Sequence, residues 1–450
     1  MSEHLTKDAI DLSTLSIPRL FGRYFLPTLL GMLSISAMCA IDGIFVGHAV
    51  GADGIGAINI CVPIMMLATG LGLMMGAGCS VVASIHMAEK KLKAARINVM
   101  QAWIFTSIVI LAMIIPVMLF PSATGRLLGS SEALLPLVRE YMLGFMPGEL
   151  FGVWCAMLLF VIRLDGNPRL AMWCNVIAAV ANIVLDWLMI VHLGWGLAGA
   201  AVASTLSMMI GGLIAAWYML FAARQLRPIR LKWSRRSLLY SVRNIGYQCT
   251  IGISALMGEG TMAVLTLVGN YVFITYMGDP GVGAFGIACY YTPFVYMIGN
   301  AVAQSAQPII SYNYGIGNTH RVRSTLKVAL LTAVLCGGAV SATFVLFPYQ
   351  LTELFVSTGE AAFPIAVKGF PLMAVAFVFF IVNLMCIGYF QSVERVRPAM
   401  VFALLRGAVF LVPSFILLPK VLGDSGIWLA LALSELLTTA CIVAYAALRR

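Results

Sequence analysis

Of 450 residues, 61% are hydrophobic and 10% charged, against roughly a quarter charged in ordinary soluble domains, so no water-soluble core could absorb this chain. Its net charge of +10 could suggest nucleic acid, but the placement of the bases along the chain fits membrane orientation instead. All ten cysteines stand singly, without the paired spacing of a zinc site or a disulfide framework, and read as small buried hydrophobes.

An apolar run of about 20 residues crosses roughly 30 Å of hydrocarbon. Such runs recur as twelve expected spans: 24–47, 55–85, 97–120, 137–162, 168–191, 196–222, 244–276, 282–312, 324–347, 364–391, 398–419 and 424–447. The first carries Pro27 and no small-residue cleavage site, so it reads as a span rather than a removed signal peptide. With the amino terminus inside, all 28 lysines and arginines except Arg126, Arg139, Lys368, Lys420 and Arg406 fall on the inner side. Both termini are therefore expected to be cytoplasmic, in a multi-pass protein of the cell inner membrane. In the second span, Gly70, Gly72, Gly76 and Gly78 imitate a phosphate loop, but no lysine follows and close helix packing is the better reading. The motif G-x-x-x-x-G-K-[ST] is absent and no segment between spans could fold as a nucleotide-binding domain, so energy from ATP would need another chain.

Self-comparison shows a repeat. Gly51-Ala52-Asp53-Gly54-Ile55-Gly56-Ala57-Ile58-Asn59-Ile60 matches Gly278-Asp279-Pro280-Gly281-Val282-Gly283-Ala284-Phe285-Gly286-Ile287 at an offset of 227, and Pro168, Gly196 and Ser204 pair with Pro398, Gly426 and Ser434 at 230. Six spans per copy is an even number, so both copies run in the same sense and their relating axis lies along the membrane normal. The expected fold is all-α and integral to the membrane: two parallel-repeat six-helix bundles, residues 1–222 and 244–450, joined by a cytoplasmic basic linker over 223–243. Arg227, Arg230, Arg235 and Arg236 place that linker near anionic lipid.

An acid at the centre of a membrane helix costs about 2.5–3.5 kcal/mol on insertion scales, which makes Asp42, Glu149, Asp186, Glu259 and Glu435 functional candidates. Asp42 and Asp186 lie late in outward-running spans, and Ser204 and Thr205 early in an inward-running one. All four belong to the outer leaflet of the first half. Asn182 stands four residues before Asp186, on the same helix face. Two carboxylates, an amide and a hydroxyl suit oxygen coordination of a small cation, and two neighbouring carboxylates can equally carry a proton; pairing with a neighbouring helix is the third reading. Glu259, between Gly258 and Gly260, could face a cavity, whereas Glu149 or Glu435 could pair with Arg406, the one base placed within a span. Asn270, Asn300, Gln304, Gln307 and Asn383 suit interhelical hydrogen bonding, while Tyr290, Tyr291, Phe294 and Tyr296 with 26 methionines would suit varied apolar cations or ordinary packing.

Four stretches together resemble the multidrug and toxic compound extrusion (MATE) family over essentially the whole chain. They are Pro27 with Asp42-Gly43-Ile44-Phe45-Val46-Gly47; Asp165-Gly166-Asn167-Pro168 through Asn182-Ile183-Val184-Leu185-Asp186 and Gly199-Ala200-Ala201; Gln304-Ser305-Ala306-Gln307-Pro308 with Tyr312-Asn313-Tyr314-Gly315; and Gly426-Ile427-Trp428 with Ser434-Glu435. The details are most similar to the MepA- and DinF-like bacterial branch. The resemblance implies a V-shaped pair of six-helix lobes that exports organic cations in exchange for sodium ions or protons. It places the first-lobe cation site on Asp42, Asn182, Asp186 and Ser204, where the family's usual residue is threonine. Some branches also use an acid where Glu259 stands. The second-lobe aspartate of the NorM-like branch has no identifiable counterpart.

The expected function is secondary active multidrug export by alternating access, driven by sodium or protons, with no cofactor, no nucleic-acid partner and a monomeric state. Glu259, Tyr290, Tyr291, Gln304 and Gln307 are expected at a substrate or proton site, with Thr205, Glu149, Glu435 and Arg406 as secondary candidates; Asp42, Asn182 and Asp186 would be metal ligands under sodium coupling. A flippase for a lipid-linked precursor is the alternative, and a basic cavity would favour it. A channel is a further alternative, whereas a membrane-embedded enzyme lacks H-E-x-x-H and G-x-S-x-G.

Overall fold

The computed structural model describes Leu12, residues 15–229 and 235–448, apart from the side chains at 52, 53, 235–238 and 279. Lys7, Arg230, Lys232, Arg449, Arg450 and the side chains of Arg235 and Arg236 thus lie outside the described residues. The described chain is helical and contains no strand. Twelve helices are long and apolar enough to span a membrane: α1 Ile17–Ala49, α2 Gly54–Ala88, α3 Leu92–Leu119, α4 Leu135–Leu164, α5 Pro168–His192, α6 Gly196–Ala222, α7 Leu239–Gly278, α8 Pro280–Gly315, α9 Thr319–Leu346, α10 Ala362–Ser392, α11 Val396–Leu422 and α12 Asp424–Leu448. Several outrun the apolar stretches read from sequence by a turn or two, because backbone hydrogen bonding continues where the side chains turn polar.

The internal repeat is visible in the backbone. Gly51, opening α2, has φ 79 and ψ −162, and Gly278, closing α7, has φ 66 and ψ −161. This region is open essentially to glycine alone, so both copies need glycine at the same corner. Helices α3 and α9 begin and end 227 residues apart, and the short helices that follow them, Pro121–Leu127 and Pro348–Glu353, begin at the same spacing.

The chain forms two compact units. The first takes the described residues up to Leu256 together with Ser311–Thr319; the second takes Met257–Ile310 with His320 onward. The near half of α7 and the last residues of α8 thus belong to the first unit. Gln248 Nε2 donates to Asn98 Oδ1 at 2.9 Å and Ser311 Oγ donates to Ser84 Oγ at 2.9 Å, satisfying polar groups that hydrocarbon would leave unpaired.

Small residues set the spacing within the first unit. A Cβ on Gly76 would lie 3.0 Å from Met157 Cα, and one on Gly78 would run into the Gln248 backbone, so the glycine-rich stretch of α2 is a packing surface against α4 and α7. On α4, Gly144, Gly148 and Gly152 face Ala201, Thr205 and Met208 of α6 in register, and a Cβ on Gly148 would lie 2.6 Å from Thr205 Cα. That approach fixes where Ser204 and Thr205 stand.

Candidate functional site

Helix α5 sorts its side chains by helical period. Pro168, Ala171, Cys174, Asn175, Ala178, Ala179, Asn182 and Asp186 form a buried stripe, while Trp173, Ile177, Val180, Val184 and Trp187 are exposed on the opposite side. The helix starts cleanly: Pro168 occupies its first turn and the Asn167 side chain accepts the Leu170 N–H at 3.2 Å. Directly after Asp186 the helix widens into a π turn, Trp187–His192, a device common at functional positions. Helix α1 reaches α5 through Gly31, where a Cβ would meet Met172 Cα at 3.1 Å, and this close approach brings Asp42 toward Asp186.

Asp42, Asn182, Asp186 and Ser204 therefore meet, from three helices of one unit. Asn182 and Asp186 are 1% and 0% exposed. Asn182 Nδ2 donates a long hydrogen bond, 3.4 Å, to Ser204 Oγ. The Asp42 and Asp186 carboxyls are within hydrogen-bonding reach of each other. As carboxylates both can only accept, and among the described residues Asp42 Oδ1, Asn182 Oδ1 and both Asp186 oxygens are buried without a donor. An unmatched buried charge costs several kcal/mol, so this constellation calls for a proton or a cation. Among the described residues no three acidic, histidine or cysteine side chains gather as for a metal cluster, and two carboxylates with an amide and a hydroxyl offer oxygen donors alone, the set that a small hard cation takes.

The other candidates are arranged differently. Thr205 Oγ1 donates to the carbonyls of Gly144 (2.7 Å) and Phe145 (3.0 Å), so its hydroxyl braces α4 just before Pro147. Glu149 is buried at 3% exposure, with no ion pair or hydrogen bond among the described residues. In the second unit Glu259 accepts from Tyr296 Oη at 3.0 Å. Arg406 pairs with Glu435 rather than with Glu149: Nε lies 2.9 Å and 3.2 Å from the two carboxylate oxygens, and Nη2 lies 2.9 Å from Oε1. Asn383 adds a 2.7 Å bond to Glu435 Oε2, and Phe380 presents its ring face 4.1 Å from the guanidinium. Tyr291 is used in packing; its hydroxyl donates to Leu351 O at 2.9 Å and its ring abuts Phe344, Phe355 and Phe370. Tyr290 is half exposed and stacks on Phe355, while Gln304 and Gln307 are buried and bonded within the fold.

Sequence reasoning gave Asp165 no role, yet four groups donate to its carboxylate. Its two oxygens accept from Tyr218 Oη and from the backbone N–H groups of Arg224, Gln225 and Leu226, all at 2.8–2.9 Å. The signal was its place in Asp165-Gly166-Asn167-Pro168, but its partners lie more than 50 residues away.

Comparison with known proteins fits this architecture. The MatE family model matches twice, over residues 27–188 and 255–416, once on each copy of the repeat. The chain belongs to the MatE family. It is thus a multi-pass membrane transporter and not an enzyme. The multidrug export protein MepA of Staphylococcus haemolyticus is 22% identical over 427 residues, covering 93% of this chain and 91% of the relative. A FAD transporter of Shewanella oneidensis is 23% identical over 363 residues, 78% of this chain and 76% of the relative. A solved structure described as the outward-facing conformation of a multidrug resistance MATE family transporter superposes with a TM-score of 0.90 at 22% identity, covering 99% and 98% of the two chains.

The two MatE matches begin and end 228 residues apart, between the offsets of 227 and 230 read from the sequence. At 230, Asp186 falls opposite Ile416, which is 46% exposed and points away from the interior; at 228 it falls opposite Ser414, which is 4% exposed. Neither counterpart is an acid.

Proposed function

We propose that this MatE transporter exports amphipathic organic cations in exchange for sodium ions or protons, with Asp42, Asn182, Asp186 and Ser204 as the coupling-ion site. It would act as a monomer, with both termini on the cytoplasmic side of the cell membrane. The observation that carries this reading is the facing pair Asp42 and Asp186, whose buried oxygens Asp42 Oδ1 and Asp186 Oδ1 and Oδ2 have no donor among the described residues. A proton shared between them or one sodium ion held by the same oxygens would relieve the repulsion of two adjacent carboxylates by cancelling one of the pair's two negative charges, and its release would restore the doubly anionic site. In a one-for-one exchange with a monovalent organic cation the membrane potential cancels, so the drive is the ion's concentration gradient, about 1.4 kcal/mol for each tenfold difference, which supports an equal substrate gradient. Cationic cargo is favoured over a lipid-linked pyrophosphate because Arg406, buried within α11, is already neutralised by Glu435, whereas Asp42, Asp186, Glu149 and Glu259 have no base beside them among the described residues.

The test is efflux of a cationic dye from proteoliposomes under sodium and proton gradients imposed separately. Wild type should export under at least one gradient, and Asp42→Asn and Asp186→Asn should each lose at least tenfold. If both variants pump like wild type, the site is misassigned; if neither gradient drives wild-type export, antiport is wrong. Flavin dinucleotide belongs in the same assay, since its uphill export in place of the dye would move the cargo to the anionic class of the Shewanella relative.

A further inference from the structure

The first unit holds a second charged site that the transport reading does not use. At the ends of α1 and α5 nearest the amino terminus lies a cavity of about 640 Å³ bordered by Arg19, Arg23, Arg169 and Arg224. None of these four guanidiniums has a carboxylate within ion-pair distance among the described residues. The nearby acid, Asp165, forms no ion pair with any of the four; its oxygens accept from Tyr218 Oη and the N–H groups of 224–226. The first turn of α5, opening at Asn167 and Pro168 on the cavity wall, adds the positive end of a helix dipole. Four like charges around one cavity repel one another unless an anion sits between them.

The rest of the wall specifies the anion. Leu26 and Pro27 border the cavity, and Leu26 and Leu30, one turn apart on the same face of α1, are 59% and 48% exposed. An apolar path therefore leads from the basic mouth along the span toward the hydrocarbon. A soluble phosphate would satisfy the arginines and leave that path bare; a phospholipid satisfies both. We propose that this pocket binds the headgroup of an anionic phospholipid, its phosphate oxygens bridging Arg19, Arg23, Arg169 and Arg224 and its acyl chains lying along Leu26 and Leu30. Four guanidiniums, each able to bind a phosphate through two N–H groups, suit a two-phosphate headgroup such as that of cardiolipin better than a single phosphate. The site does not depend on which ion drives transport, and the orientation proposed above decides only which leaflet supplies the lipid.

The test is native mass spectrometry of the full-length protein in detergent with cardiolipin, phosphatidylcholine or deacylated glycerophosphodiester added. Three proteins are compared: wild type, Arg19→Gln/Arg23→Gln/Arg169→Gln, and a control, Lys90→Gln/Lys91→Gln/Lys93→Gln, that removes the same charge from the α2–α3 turn. Wild type and the lysine control should hold cardiolipin at least tenfold more tightly than phosphatidylcholine, and the arginine variant should lose that preference. Equal loss in the lysine control would reduce the effect to diffuse attraction, and unchanged binding by the arginine variant would remove the site. Glycerophosphodiester binding as tight as cardiolipin would make the occupant a free anion, overturning the lipid assignment. Should the triple variant not fold, Arg23→Gln against Arg23→Lys decides: a several-fold loss only in the glutamine form supports the site, and no difference sinks it.

Discussion

In the first unit Asp42 and Asp186 face each other with no base beside them among the described residues, whereas in the second Glu435 is held by Asn383 and by Arg406, whose guanidinium is seated on Phe380. Both sit on the interior faces of helices that share an ancestral repeat, and both place ionisable groups where the bilayer disfavours them. The second unit carries its counter-cation covalently and can make that charge permanent. The first leaves the positive charge to come from outside, which is what a site that takes up and releases an ion requires. The sixth helices of the two copies show the same divergence at one position. At an offset of 230, Thr205 corresponds to Glu435; Thr205 braces α6 against the α4 carbonyls, while Glu435 ties α12 to α10 and α11 through Asn383 and Arg406.

The sharpest way to break this comparison is to remove one partner of the saturated pair. Arg406→Met should destabilise the protein by about 3–5 kcal/mol, because it leaves Glu435 charged and buried. Thermal unfolding in detergent reads the loss, and Arg406→Met/Glu435→Met should recover most of it. A single variant as stable as wild type would mean that the pair is not a structural clamp. The next effect is on transport and of opposite sign for stability: Asp42→Asn or Asp186→Asn should leave the unfolding midpoint unchanged or raised while export falls. A stability loss as large as that of Arg406→Met would place the aspartates in the scaffold instead.

Thr205→Val should cost about 1–3 kcal/mol by leaving the Gly144 and Phe145 carbonyls without their hydroxyl donor, with transport per folded molecule retained. Loss of export at normal stability would instead promote Thr205 into the ion site. The smallest effect belongs to the exposed pair Arg126–Glu132, 2.8 Å apart, where the guanidinium holds the glutamate carboxyl below its ordinary value. A depressed carboxyl contributes above its unfolded value and loses that contribution as pH falls through the folded one. Here water screens it, so Glu132→Gln should not move the unfolding midpoint measurably between neutral and mildly acidic pH.

Much of this was legible in the chain itself. The twelve spans follow from the length of apolar runs, the repeat from two nearly equal offsets, and the shared face of Asn182 and Asp186 from the four-residue helical period. Even the glycine-rich stretch of α2 was readable as a packing surface, since backbones approach closely only where side chains are absent. These are properties of one helix at a time, or of the chain compared with itself.

Tertiary structure decided what those helices do to one another. Sequence left Arg406 free to meet Glu149 or Glu435, and offered Thr205 as a candidate ligand; the rotation of each helix about its axis and its approach at glycine contacts such as Gly31–Met172 and Gly148–Thr205 settled both. Asp165 and the four arginines of the basic cavity show the same limit, because their partners and neighbours come from segments dozens to hundreds of residues apart. Periodicity fixes which side of a helix a residue occupies, but the group it meets depends on how that helix is turned against its neighbours, and that is set by packing across the whole unit.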